Sequence, residues 1–246
     1  MSESDLIVVA LASLVGSFVK SVTGMGFPLI AIPILTLFIG VEDAVVVIAI
    51  PNIFANFLLC FGVREERKHA RDLRALILTA ILGAIAGTLV LVEAPEEPLL
   101  LGLAASVFIF VVQRSRSPEL TLSPATSRRW APAAGVLAGF SHGAVGVSGP
   151  IVAMWVHGYR LSKNAYVFSV TSLFLVAGLA QLVVLVSTGQ FRREHLIASS
   201  VALLATLCMI PVGTRMRSRI GGRLFDRLIL GLLVLSGASL VMRALS

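Results

Sequence analysis

FVKSVTGMGFPLIAI at residues 18–32 and FSHGAVGVSGPIVAM at residues 140–154 align without a gap at an offset of 122 residues. Phe18 matches Phe140, Gly24 matches Gly146, Pro28 matches Pro150 and Ala31 matches Ala153, and Lys20 falls opposite His142. Each copy interrupts a strongly apolar stretch with glycines followed by a proline. In corresponding halves of a membrane protein, paired interruptions of this kind point to a binding site built from broken helices.

Composition sets the environment around the two copies. Apolar residues make up 57% of the 246, charged residues 13%, and the mean hydropathy is +0.95, whereas a soluble domain carries about a quarter charged residues. The chain is therefore expected to be an all-α polytopic membrane protein surrounded by lipid. Apolar segments over 44–61, 75–92, 165–186 and 196–213 approach or reach the roughly 20 residues that cross a bilayer as helix, and shorter ones cover 98–112 and 228–242. The net charge of +7 sits in loops, where it reports orientation rather than nucleic-acid binding. MSESD at the start lacks the basic region of a cleaved signal peptide, so Leu6 onward is expected to stay as membrane segment. Cys60 and Cys208 have no metal-ligand spacing and read as small core residues. No cofactor or metal motif stands out.

Loop charge orients the segments. Arg64, Arg67, Lys68, Arg71 and Arg74 fall in one loop; Arg114, Arg116, Arg128 and Arg129 in the central polar stretch; Arg215, Arg217, Arg219, Arg223 and Arg227 in a third. All three are expected in the cytoplasm. Glu93, Glu96 and Glu97, and the Gln190 to His195 loop, then lie outside, with both termini. Equivalent loops thus swap sides between the copies, which predicts two inverted repeats, each a broken helical hairpin plus three transmembrane helices. The domains are residues 1–113, a cytoplasmic linker 114–129, and residues 130–246. A single long kinked helix over each opening segment is the alternative, because a helix rises only about 1.5 Å per residue. That arrangement leaves the two repeats in the same sense and conflicts with the swapped loops.

The residues of each break suggest what it binds. Gly24 and Gly26 permit an unwound backbone, and Pro28 suits the first turn of a new helix but cannot complete the preceding one. Amides near Met25, Gly26 and Phe27, and those of Val147, Ser148 and Gly149 ahead of Pro150, are candidate exposed helix starts, which attract anions. Tight packing through glycine is the competing reading for either motif alone. Lys20 must be paired, hydrated or snorkelling inside its apolar segment. Its counterpart His142 is a second candidate cation and a proton carrier. Thr23 and Gly146 flank the two breaks. Asn52 and Thr171 are the leading side-chain contacts to a ligand, whereas Asn56 and Gln181 read equally as helix-to-helix bonds. Glu42, Asp43, Asp72 and Asp226 fall near loops, which leaves no isolated carboxylate for a cation site.

With these motifs in view, the chain resembles the sulfite exporter TauE/SafE family, also called the TSUP anion permeases. The resemblance rests on GMGFPLIAIPIL at Gly24 to Leu35, GVSGPIVAM at Gly146 to Met154, the two similar halves and the charged linker. It implies transport of sulfite, an organosulfonate or a related oxyanion, with proton-coupled export among the mechanisms associated with the family. Secondary transport through the paired breaks is the leading function. An anion channel is the second, and a membrane enzyme or nonconducting scaffold the third. Against an enzyme, no phosphate-loop lysine motif, His-rich metal cluster or nucleophile-base arrangement is visible.

Overall fold

The computed structural model describes residues 1–23, 25–116, 121–216 and 223–245, with the backbone alone for 223–228. Among these residues the secondary structure is helical throughout. The first half contains α1 (Glu3–Thr23), α2 (Phe27–Ile39), α3 (Val41–Gly62), a three-ten turn (Arg64–His69), α4 (Leu73–Glu93) and α5 (Glu96–Arg116). The second contains α6 (Pro124–Val145), α7 (Gly149–His157), α8 (Lys163–Ser187), α9 (Arg193–Met216) and α10 (Arg223–Ala244). Each of the six apolar segments read from sequence lies inside one of these helices, which run a few residues further at each end. Helices α5 and α6 also extend into the stretch expected as linker. Six helices, α1, α3, α4, α5, α8 and α9, are long and apolar enough to span a bilayer; the chain is a multi-pass membrane protein.

The starts follow local rules. Ser123 accepts from the Thr126 amide and Ser162 from the Ala165 amide, capping α6 and α8. Helix α2 folds back on α1, with Gly16 against Phe27 and Ala31. At the base of α7 the Leu122 amide donates to the Gly158 carbonyl at 2.8 Å, so α7 also returns to where α6 began. Both opening segments are hairpins rather than single long helices.

Side-chain contacts give the relative senses of the others. The Met1 ammonium pairs with Glu194, and Gly213 lies against Ser21, so α1 and α9 run in the same sense. Helix α3 joins them: Asp43 meets His195 at 3.0 Å and Arg192 at 2.9 Å, and Ser199 donates to the Val47 carbonyl at 2.9 Å. Helix α8 opposes α3, since Cys60 meets Ser172 while Ile53 meets Gly178. Helices α4 and α6 run together from Asp72 and Ser127, joined at 2.7 Å, through Ala80 beside Gly139 to Ala84 beside Gly143. Helix α5 opposes α10, with Glu96 on Arg243 at 3.2 Å and Phe108 near Gly237. The pattern is reciprocal: α4 packs on α6 and α8, and its counterpart α9 packs on α1 and α3.

Glycine sets how closely these helices approach. A β-carbon on Gly87 would lie 2.1 Å from the Phe140 carbonyl, and one on Gly139 would lie 2.1 Å from that of Ala80. Small residues at such crossings let backbones pack in a lipid medium that offers little hydrophobic drive. The outer surface is apolar for the same reason: Leu11, Phe57, Leu78, Leu82, Val183 and Leu204 are exposed, as lipid-facing side chains should be.

Two sequence readings change. His195 is not an ordinary loop residue; it is buried in the first turn of α9, with Nε2 on Asp43 and Nδ1 at 2.9 Å from the Gln190 carbonyl. Cys208 is exposed on α9 rather than in the core. At the opposite end of the molecule Arg71 lies over the Tyr159 ring, 5.2 Å from its centroid. Burial pushes the Tyr159 phenol up to about 12, and its oxygen accepts from the Trp155 indole at 2.6 Å.

Candidate functional site

The two breaks fall at matching positions. Helix α1 ends at Thr23 and α6 at Val145, and the residues that precede the new helices are Gly26 and Ser148, all at the 122-residue offset. Gly26 has φ +115° and Gly146 φ +70°, left-handed conformations that side chains resist. At the first break the Thr23 hydroxyl donates to the Val19 carbonyl at 2.9 Å, or alternatively to that of Met25 at 2.6 Å, and Thr23 Oγ1 accepts from the Met25 amide at 3.3 Å. At the second, the Gly146 amide donates to the His142 carbonyl at 2.9 Å and the Ser141 hydroxyl to that of Val147. Gln181 of α8 adds bonds to the carbonyls of His142 at 2.9 Å and Gly143 at 3.2 Å. Two of the carbonyls in the last turn of α6, those of His142 and Gly143, are therefore satisfied. The starts of α2 and α7 carry proline in the first turn and no side-chain cap.

Both breaks line one cleft. Gly26, Pro28 and Leu29 come from the first, and Gly146, Val147, Ser148, Gly149 and His142 from the second. Asn52, midway along α3, and Phe174, midway along α8, complete the wall. Lys20 stands beside it, 1% exposed. Its ammonium does not snorkel: Nζ donates to Asn52 Oδ1 at 2.8 Å and lies 5.8 Å from the centroid of the Phe174 ring. Asn52 Oδ1 also accepts from Asn56 Nδ2 at 3.2 Å. Among the described residues no carboxylate pairs with Lys20, and a neutral amide and a ring face would leave an ammonium here largely uncompensated. His142 Nδ1 lies 3.3 Å from Ser148 Oγ, and its ring stacks on Phe174 with centroids 6.1 Å apart. Among the described residues, buried His142 Nε2 and Asn56 Oδ1 find no hydrogen-bond partner. Among the described residues, no three His, Cys, Asp or Glu side chains group as for a metal.

Of the residues singled out from sequence, Gly26, Asn52, His142, Gly146, Val147, Ser148 and Gly149 line the cleft, and Lys20 is bonded to its wall. Thr23 shapes the break. Met25 is buried in the apolar cluster that also holds Val152, Val156 and Phe174, and Phe27 is buried against Gly16. Thr171 is buried on α8 with its hydroxyl donated to the Val167 carbonyl at 2.7 Å and is not part of the cleft lining. Gly24 lies outside the described residues. Phe174 was not anticipated, although it stands 122 residues after Asn52; the offset that exposed the breaks also marks their second wall.

A multi-pass helical protein whose two halves each bring a broken helix to one buried cleft has the build of a membrane transport protein. Residues 8–240 match the model of the sulfite exporter TauE/SafE family, and the chain belongs to that family. No match is found among curated proteins or among solved structures.

Proposed function

We propose that the protein is a secondary transporter of the inner or plasma membrane that carries sulfite, an organosulfonate or a related small anion, coupled to protons. The observation that supports this most is the meeting of two uncapped helix starts, far apart in sequence, in one cleft beside the Lys20 ammonium. The anion takes donors from the amides that open α2 and α7, from the Ser148 hydroxyl and from the Asn52 side chain. Lys20 supplies the compensating charge. Thr23, Met25 and Phe27 hold the first break open, and Thr171 supports α8 behind it. Helix N-termini bind anions because free amides and aligned peptide dipoles converge there.

The two halves are inverted repeats in this reading. Helix α1 shares its sense with α3 and α9, while α6 shares its sense with α4, which returns from α3; α1 and its counterpart α6 therefore oppose one another. Ties between the halves at both ends, Asp43 to Arg192 at one and Asp72 to Ser127 at the other, favour alternating gates over an open pore.

Purified protein in liposomes tests the assignment. Saturable counterflow of sulfite or a small organosulfonate is expected, with no flux of ammonium or a sugar, and imposed proton, sodium and voltage gradients identify the coupling. Flux of a cation or neutral solute without any of the anions would overturn it. Accessibility tags at Arg64 and Arg215 should report the same side of the membrane, and opposite sides would refute the inversion.

A further inference from the structure

His142 and Lys20 stand at matching positions of the two halves, yet their surroundings give them different work. Both contact the ring of Phe174, but Lys20 Nζ has an acceptor in Asn52 Oδ1 whereas His142 Nε2 has none. Nε2 lies beside Gly178, where a β-carbon would be 3.6 Å away, so that position of α8 offers it no side chain. The groups recorded beside the imidazole are neutral: Ser148 from the start of α7 and Phe174 and Gly178 from α8, with Asn52 of α3 lining the same cleft; Gln181 holds the His142 carbonyl, and α4 meets the next residue, Gly143, through Ala84, Gly87 and Thr88. Among the described residues, the other ionisable group at the cleft is Lys20, whose ammonium would be a like charge.

Resting on the transport reading above, we infer that His142 carries the coupling proton and that the proton travels with the anion, which makes the protein a proton–anion symporter. A second cation beside Lys20, buried and without a carboxylate, is unfavourable until an anion enters. Anion binding and proton uptake are then linked, each favouring the other by the same factor. The proton passes from water on the entry side to the imidazole nitrogen that lacks one, and it returns to water when the anion leaves. Geometry suits both states. The neutral ring accepts from or donates to the Ser148 hydroxyl; in the imidazolium Nδ1–H donates to Ser148 Oγ and Nε2–H is left for the anion.

The test uses methanesulfonate, a monoanion that stays fully ionised at a near-neutral pH where an imidazole can take a proton, so that any proton moved belongs to the protein; sulfite is run in parallel for exchange. In wild-type vesicles an inward anion gradient should acidify the lumen, and one pH unit, acid outside, should raise anion accumulation about tenfold, the value for one proton per anion. Whatever counterflow H142Q retains should show neither effect. Proton coupling that survives in H142Q, or alkalinisation on anion entry, would overturn the inference. If H142Q shows no counterflow, calorimetry of anion binding to the wild type in two buffers of different ionisation enthalpy decides: uptake of about one proton per anion supports it, and none overturns it. Wild-type vesicles that exchange neither anion defeat the transport reading itself, an outcome distinct from exchange without coupling.

Discussion

At the first break, positions 20, 52 and 56 are Lys, Asn and Asn; 122 residues on, the same positions are His142, Phe174 and Gly178. Lys20 reaches Asn52, and His142 reaches Phe174, so equivalent partners touch in both halves while the chemistry differs. Position 27 differs too. Phe27 fills its half and packs on Gly16, but Gly149, its counterpart, has nothing within 4 Å of where a side chain would begin. A repeated backbone has thus been given one polar, filled corner and one aromatic, open corner. The repeat supplies the two helix starts, and in the proposed reading departures from it decide which side would hold charge and which would admit the ligand.

The two glycines of the second break separate folding from binding. Gly146→Leu should have the largest effect: the position has φ +70°, and an added β-carbon meets Ile32 Cδ1 at 2.3 Å and Val45 at 3.2 Å. Left-handed strain of about 1–2 kcal/mol and overpacking of about 1–3 kcal/mol should cut detergent-stable yield and flux together. Gly149→Leu, three residues on, should leave yield near wild type and reduce flux and anion binding to near background, because the side chain enters open space at the start of α7. Yield, binding and flux measured on the same preparations check both. Normal flux in Gly149→Leu would mean that the open corner is not where the anion enters.

How far the chain could be read follows the same division. Helices appeared from apolar runs and the paired breaks from their spacing, because both are local patterns. Lys20 was legible as a basic residue inside an apolar segment, with pairing, hydration and snorkelling all open. Phe174 was not, since an aromatic in FLVAG reads as core until its ring is seen against His142 and Lys20. His195 was missed because its burial depends on Asp43, which lies at the start of another helix. Thr171 was chosen for its hydroxyl, and only the structure shows that hydroxyl turned to its own helix. What sequence withholds here is which face of a helix meets which neighbour, a tertiary property.

Lys20→Met probes the polar corner. Loss of a charge-assisted contact of about 1.5–3 kcal/mol should weaken anion binding roughly ten- to hundredfold. Stability should move the other way, because methionine fills much of the volume without burying a charge. A thermal midpoint at or above wild type with weakened binding is the expected pair of readings. A lowered midpoint with unchanged binding would recast Lys20 as a structural strut for Asn52 and move the positive corner elsewhere.

Thr171→Val should have the smallest effect. The hydroxyl donates to the Val167 carbonyl, with a longer contact to that of Phe168 at 3.4 Å, so it already has partners within α8. Such back-bonding to the preceding turn slightly weakens a helix, and valine keeps the β-branched shape while removing a buried hydroxyl. Stability should stay within about 0.5 kcal/mol of wild type, and apparent affinity and maximal flux within about twofold. A tenfold loss of affinity with unchanged stability would show that the hydroxyl turns into the cleft when the anion binds. The second half would then own a polar donor to set against Asn52, and the two corners would be more alike than their resting contacts make them.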